Sequence, residues 1–468
     1  MRIACIHIPQ YALQCATRVD PSLRGAPVAM VAGQGAGTGV LHAPIVVACS
    51  RAAWTLGVRL GMTAAAARNV SAELSVVGVE SQLERETTRA VADALLALTG
   101  VVDIGGRVGA GGAHLALYAE VPTRTRGNAF GERVLDKLRE LGLLGRIGIA
   151  DDRFTAWVAA AYGAVGQRLG DHGASPHEPE QQHQHDVITV PRGGSAAFLS
   201  PRPLSLLAIA PEVQHMLEAL GVRTLGEFAA LPAPSVARPL EADYQALARG
   251  DSGSSLRPYA PEAAIREEIV VLGGNVLDGD NAIAGPTAIG VIAQRLALRL
   301  AGRQRSAIKI ELAIAVANGN AAATTERGLE LDTPIDSADE LARVLSPVLE
   351  TVPEGPWKLR AIVTGEAVAG AIVEAAPATT HMAVVAGAVG RAAEPRAIPN
   401  GVPIGPVRAE LPNDPYAVVL STTGTLFALS APDDGRPGLD RAHRRTRRGK
   451  QRRLRPALAL GLFDRTGG

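Results

Sequence analysis

Residues 4–14, ACIHIPQYALQ, begin as a buried strand and are stopped by Pro9. A short apolar run of this kind, ended by a residue that cannot donate to a ladder, fits a strand covered on both faces. Its polar positions hold His7 and Gln10, and no carboxylate. Working outward, the first 165 residues alternate short apolar runs with helical periodicity. The spacing predicts strands at Arg2–Ile8, Ser75–Val79, Ala113–Ala119 and Arg146–Ala150, and helices at Gln82–Leu98, Glu132–Leu141 and Arg153–Tyr162. That pattern places helices on a sheet. Between the first two strands, the glycine- and alanine-rich segment from Pro21 to Asn69 reads as a small inserted subdomain.

The pattern changes beyond residue 165. Residues 165–186 are polar and carry His172, His177, His183 and His185 with no cysteine or periodic element around them, which reads as a linker. Residues 203–231, PLSLLAIAPEVQHMLEALGVRTLGEFAAL, predict two helices around a tight turn. Pro211 suits a first helical position, Gly221 ends the first helix, and Thr224 with Glu227 makes a capping box for the second. From about 265 to 370 a second α+β unit is expected. There Ile308, Ile310, Leu312, Ile314 and Val316 alternate with polar residues in a half-buried strand, with helices at Pro286–Gly302 and Ala338–Leu349 and a further strand at Leu359–Thr364. Past residue 370 periodicity weakens, predicting a flexible tail with one hairpin near Tyr416–Leu429.

The totals narrow the function classes. At 468 residues the chain has material for about three to four domains. Lys+Arg number 47 against 46 Asp+Glu, so a nucleic-acid partner must be sought in a local basic patch. Lysine occurs only at 137, 309, 358 and 450, and so much arginine beside so much alanine and glycine points to codon composition. Cys5, Cys15 and Cys49 have no metal-type spacing, which fits a reducing compartment. With no signal-peptide pattern and no long apolar span, a cytoplasmic location is expected and a membrane is not. Aromatic residues make up 3%, too few for a base-stacking platform.

Strong basicity appears in one place. Arg441, Arg444, Arg445, Arg447, Arg448, Lys450, Arg452, Arg453 and Arg455 put nine cations within fifteen residues. Such a density predicts binding to polyanions, each phosphate contact steepening the log–log salt dependence by about 0.9. A solvated arm without a partner is the alternative reading of the same charges. Directly after it, Ala459-Leu460-Gly461-Leu462-Phe463 forms an apolar plug on a polar string. Burying each large side chain of such a plug in a partner's pocket is worth roughly 1.5–3 kcal/mol before ordering costs.

Several stretches in order resemble one family. RVDPSLRGAPVAMV, CSRAAWTLGVRLGMTAAAARNVSAEL, LGRIGIADDRFTAWVAA, and FLSPRPLSLL with LGVRTLGEFAALP are similar to palm, fingers, second palm and thumb landmarks of the Y-family (UmuC/DinB-like) translesion DNA polymerases. GVRLGM and GVRTLGEFAALP are the most specific of these. The resemblance implies an α+β multidomain, right-hand architecture. Its parts are a palm over 1–165 with fingers inserted at about 20–70, a linker at 166–190, a helical thumb at 191–255, and a little finger at 262–370. A flexible basic tail at 371–468 follows. ALGLF resembles a bacterial sliding-clamp-binding peptide, with Ala459 in place of its usual first glutamine, which implies clamp contacts through Leu460, Leu462 and Phe463.

The resemblance also assigns the chemistry at the end of the first strand. In active relatives a leading aspartate and a backbone carbonyl hold metal, and these positions fall on His7 and Ile8. The second acidic pair falls on Ala113 and His114, with Tyr118 and Ala119 further along. Triphosphate contacts of the fingers fall on Arg51 and Trp54, and a palm lysine on Trp157. Mg²⁺ requires oxygen ligands, and two-metal transfer requires both ions clamped around the reacting oxygens. No catalytic residue, metal site or cofactor is therefore expected. Among polymerase relatives the chain is most similar to the catalytically degenerate ImuB-type mutagenesis proteins. That implies an adaptor in error-prone DNA damage tolerance and the SOS response. Its partners would be DNA, the sliding clamp, a RecA-like accessory protein and an error-prone DnaE-type polymerase, in the cytoplasm at the nucleoid. One alternative is an active, Mg²⁺-dependent polymerase whose ligands have moved to Asp103 or Glu120. Another is a DNA-binding module of unrelated function on the same fold.

Overall fold

A computed structural model describes residues 1–33, 43–109, 112–163, 186–232, 239–261, 263–271, 284–316, 324–351 and 356–369. All belong to one compact unit, Met1–Ala428. The linker histidines, the Tyr416–Leu429 hairpin, the arginine-rich segment and the terminal apolar peptide lie outside the described residues.

In chain order the elements begin with β1 (Ile3–Ile8), α1 (Tyr11–Val19), β2 (Val28–Ala32), β3 (Ile45–Cys49), α2 (Arg51–Thr55), α3 (Ala64–Arg68), β4 (Ser75–Gly78) and α4 (Ser81–Leu96). Next come β5 (Val102–Val108), β6 (His114–Glu120), α5 (Gly127–Glu140), β7 (Arg146–Ala150), α6 (Arg153–Tyr162) and β8 (Val187–Thr189). The helices α7 (Ser195–Leu199), α8 (Pro211–Ala219), α9 (Leu225–Ala229) and α10 (Pro239–Ala248) follow. The chain continues with β9 (Ile265–Val271), α11 (Gly285–Arg303), β10 (Arg305–Val316), β11 (Thr324–Ile335), α12 (Ala338–Leu345) and β12 (Trp357–Val368). The fold is mixed α+β.

The first sheet has the order β5-β6-β1-β7-β8, so β1 is its centre, antiparallel to both β6 and β7. A central strand packed on both faces is buried along its length, and all six residues of β1 are buried, the polar His7 among them. Ala4, Ile6 and Ile8 face a core shared with α4 and α5, where Leu95 and Phe130 are fully buried. Ile3 and Cys5 face the opposite core, built on Phe154 and Trp157 of α6 and on Leu199, Leu225 and Phe228 of the helical segment.

This first region differs from the sequence expectation at β4, at α1 and at β5, which was not expected. The run at Ser75–Val79 does not join β1. As β4 it lies parallel to β2 with Val28 opposite Ser75, in a separate sheet of order β3-β2-β4. The inserted body therefore reaches Gly78 and not Asn69, because a four-residue apolar run carries no information about which sheet it will join. Helix α1 was also not expected. Gln10, at φ 47° in the left-handed region, reverses the chain after Pro9 and lets a helix start at once.

In the helical segment Thr224 Oγ1 accepts from the Glu227 N–H at 3.2 Å, while Glu227 Oε2 accepts from the Thr224 N–H at 2.9 Å. This is the predicted capping box. Thr224→Ala is expected to cost about 1 kcal/mol. In urea unfolding this appears as a lower midpoint with an unchanged m value.

The last region is an antiparallel sheet of order β11-β10-β12-β9, with β9 and β11 absent from the sequence expectation. Its core joins Ile292 and Leu296 of α11 and Leu341 of α12 to Ile310, Leu312 and Leu359 of the sheet. Helix α11 also packs against α4, where a β-carbon at Gly302 would lie 1.7 Å from the Asp93 carbonyl oxygen. Only glycine permits that approach. Around it runs a buried ionic chain. Arg299 donates from Nε to Asp93 Oδ2 at 2.8 Å and from Nη1 to Glu267 Oε1 at 3.1 Å, and Arg303 donates from Nη2 to Asp93 Oδ2 at 2.9 Å. Glu267 also pairs with Arg18 of α1. Among the described residues no helix is long and apolar enough to cross a membrane.

Candidate functional site

The register of β1 against β6 sets the site. His7 lies opposite Ala116, so His114, two residues earlier on β6, is its diagonal neighbour on the same sheet face. The two imidazole rings meet at a centroid distance of 5.1 Å and an interplanar angle of 56°. His7 is 5% exposed, and its Nδ1 has no hydrogen-bond partner among the described residues. His114 Nδ1 accepts the backbone N–H of Gln10 at 3.1 Å, which leaves its ring proton on Nε2. Ala113 precedes β6 and accepts the Tyr11 N–H at 2.8 Å through its carbonyl. The Ile8 side chain points away from the imidazoles, into the core under α4 and α5.

These imidazoles are held neutral. Burial, then the neighbouring His114 and Arg146, lower His7 to about 3. Burial, then Arg107 and Arg146, lower His114 to about 4. Both arginines escaped the sequence reading. Their signal was positional, since Arg107 is the last residue but one of the strand beside β6 and Arg146 opens the one beside β1, where Val108 faces His114 and Arg146 faces His7. The charges that act on the imidazoles are those of guanidinium groups, where a metal site needs carboxylates.

The acids near the site in sequence are engaged elsewhere or lie remote from it. Asp103 pairs with Arg153 and accepts the Arg257 N–H at 2.9 Å. Asp151 pairs with Arg2 at 3.1 Å and accepts the Gly193 N–H at 2.7 Å. Asp152 caps α6 through the Thr155 N–H at 2.9 Å and accepts the Ser195 and Ser252 hydroxyls at 2.8 and 2.7 Å. Asp20 accepts the Ser22 N–H at 3.1 Å. Glu84 pairs with Arg107 at 3.2 Å. Glu120 lies opposite Ile3, four positions along β1 from His7, or about 13 Å at the usual strand rise. Among the described residues no three His, Cys, Asp or Glu side chains gather to hold a metal ion. Two neutral imidazoles flanked by guanidinium groups do not fit a pair of hard divalent cations.

The remaining positions pack. Tyr11 is buried, its ring under the Arg107 guanidinium at 4.9 Å, and its hydroxyl donates to the Glu84 carbonyl at 2.8 Å. Trp157 is buried between Phe154 and Tyr162, at centroid distances of 5.9 and 5.6 Å. Trp54 is half-buried with the Arg59 guanidinium 4.2 Å above its ring, and Arg51 is exposed at the start of α2. Tyr118 is buried beneath Arg153, whose guanidinium lies 4.2 Å from the ring centre. Ala119 is buried in the core of the first sheet.

Comparison with known proteins places the segment that carries this site. Residues 6–161, about a third of the chain, match the model of the impB/mucB/samB family. Among solved structures, DinB from Sulfolobus solfataricus is similar at 11% identity, covering 78% of this chain and 100% of that one with a TM-score of 0.42. An insertion ternary complex of Dbh DNA polymerase is similar at 11% identity, covering 78% of this chain and 98% of that one with a TM-score of 0.43. No curated protein matches the chain.

Proposed function

We propose that this chain is a non-catalytic, polymerase-like adaptor of DNA damage tolerance that binds DNA and recruits other proteins to it. One observation carries the reading. At the positions where related polymerases hold metal, the segment that matches the impB/mucB/samB family buries two uncharged imidazoles 5.1 Å apart. The neighbouring acids are committed to arginines and helix caps, or lie remote along the strand. Moving the ligands to Asp103 would break its pairing with Arg153, and Glu120 stands at the far end of β6.

DNA contact in this reading is sequence-independent, through arginines and backbone N–H groups on phosphates. Arg441, Arg444, Arg445, Arg447, Arg448, Lys450, Arg452, Arg453 and Arg455 supply the main electrostatic grip. Leu460, Leu462 and Phe463 engage the sliding clamp. The resemblance to ImuB-type proteins adds a RecA-like accessory protein and an error-prone DnaE-type polymerase as partners, in the cytoplasm at the nucleoid.

Two measurements test this. Purified full-length protein is expected to extend no primer with either Mg²⁺ or Mn²⁺, and template-directed extension that is lost on Asp103→Asn or Glu120→Gln overturns the non-catalytic assignment. The L462A/F463A double variant is expected to lose retention on immobilised clamp while DNA binding stays within about twofold. Unchanged retention removes the clamp from the proposal.

A further inference from the structure

Three strands of the first sheet end at one edge. β6 and β7 both run antiparallel to β1, and β8 runs parallel to β7, so the carboxyl ends of all three gather where β1 begins. From that edge the chain leaves to opposite faces. After β6 it enters α5, which packs in the core of Phe130 and Leu135, and after β7 it enters α6, which packs in the opposite core of Phe154 and Trp157. A crevice outside the carboxyl ends of the strands, where successive connections diverge in this way, is the place at which open α/β sheets take ligands.

A cleft of about 420 Å³ lies there, between the β6–α5 connection on one side and residues 189–192 on the other. Its volume falls within the span of small-molecule sites, about 300–1,000 Å³. Arg2 contributes to its lining and is held in place by Asp151 at 3.1 Å and the Val190 carbonyl at 2.6 Å. Thr189 donates its hydroxyl to Asn128 Oδ1 at 2.6 Å, tying the two sides together. Val121 and Val190 supply buried apolar surface, and Thr123 and Thr125 supply hydroxyls. Arg192 is exposed at the cleft with no partner among the described residues. Glu120 is the one carboxylate of the lining, against Arg192 and the exposed Arg124 and Arg126 of the adjoining connection. Gly127, also in the lining, opens α5 without a side-chain cap, which adds the N–H groups of a first helical turn to these donors. The cleft therefore combines a surplus of positive charge and donors with an apolar wall. A bare oxyanion meets the first and leaves most of the volume empty, whereas a phosphate carried on an organic body meets both.

We propose that this cleft binds a phosphate monoester of nucleotide size, its phosphate at Arg192 and the threonine hydroxyls. The shared chemistry is the monoester, either a free nucleotide or the 5′-phosphate end of a nucleic-acid strand. The site does not depend on the function proposed above. Arg2 lies five positions from His7, about 16 Å at the usual strand rise and at the other end of β1, and the arginine-rich tail takes no part.

Full-length protein titrated with deoxyadenosine monophosphate is expected to show a saturable rise in melting temperature that deoxyadenosine does not give. Arg192→Ala, at an exposed position, is expected to weaken half-saturation by about tenfold, the loss of one charge-assisted hydrogen bond. Glu120→Gln acts in the opposite direction and strengthens it by about threefold, because the carboxylate repels the phosphate. Arg133→Ala, exposed elsewhere on α5, leaves it within about twofold. A nucleic-acid source shows as a 5′-phosphorylated oligonucleotide displacing the monophosphate where its 5′-hydroxyl counterpart does not, and a free-nucleotide source as displacement by neither. No saturable rise, an equal rise with deoxyadenosine, or unchanged half-saturation in Arg192→Ala overturns the proposal.

Discussion

Asp93→Ala is expected to lower the free energy of unfolding by about 3–5 kcal/mol, the range for removing one partner of a buried ion pair. Asp93 is fully buried on α4 and accepts from Arg299 Nε at 2.8 Å, Arg303 Nη2 at 2.9 Å and the Tyr259 hydroxyl at 3.0 Å. Truncation leaves Arg299 Nε, Arg303 Nη2 and the Tyr259 hydroxyl without their acceptor, and leaves Glu267 and Glu366 to neutralise the two guanidiniums. The size of the effect comes from those orphans and not from the attraction lost. The pairing of Arg139 with Asp136 on the exposed face of α5 is the natural contrast, and Asp136→Ala is expected to change stability by less than about 0.5 kcal/mol. Urea unfolding of both variants checks the pair of values. A loss under 1 kcal/mol for Asp93→Ala means that the α4–α11 contact is not held by charge. Adding Arg299→Met to Asp93→Ala is expected to recover part of the loss, because it removes one of the donors left without an acceptor.

The second large effect is on pH. His7 and His114 have native values lowered to about 3 and about 4, against 6.5 for the free side chain. Below pH 6.5 the unfolded chain takes up two protons that the native site refuses, so stability falls as pH falls. At pH 5 each imidazole costs about 2 kcal/mol relative to pH 7, at about 1.4 kcal/mol per unit. Glu267 does not contribute in this window. Its carboxyl is pushed up by burial but held below its ordinary value by Arg18 and Arg299, so the stability it supplies is present above about pH 4.5 and lost only as pH drops through its lower native value. Urea midpoints measured from pH 7.5 to 5 are expected to decline steadily, and the His7→Gln, His114→Gln double variant to flatten that decline. A decline of equal slope in the double variant means that the imidazoles ionise inside the fold.

What could be read in advance followed from locality. The strand Ile3–Ile8 announced itself as an apolar run closed by proline, and the capping box at Thr224 and Glu227 is a four-residue signal. The His7 and His114 pairing was accessible because a family pattern aligned two separate strands. Strand β5 escaped because Asp103, Gly105, Gly106 and Arg107 break its apolar period, although its pairing to β6 is what brings Arg107 to the imidazoles. Arg18, Asp93, Glu267 and Arg299 escaped for another reason. They meet across up to 249 positions of sequence, and no window spans that distance. One local sign was present. Arg295 and Arg299 sit one turn apart on the same stripe of α11 as Ile292 and Leu296, where a charge must either find a partner or anchor something.

The central placement of β1 has a bearing on biosynthesis. The two strands that flank it, His114–Glu120 and Arg146–Ala150, are translated more than a hundred residues after it. At about 5–20 residues per second, that delay is roughly 7–30 s. Until β6 has been made, β1 has a partner for neither ladder edge, and an unpaired apolar strand is open to pairing with other chains.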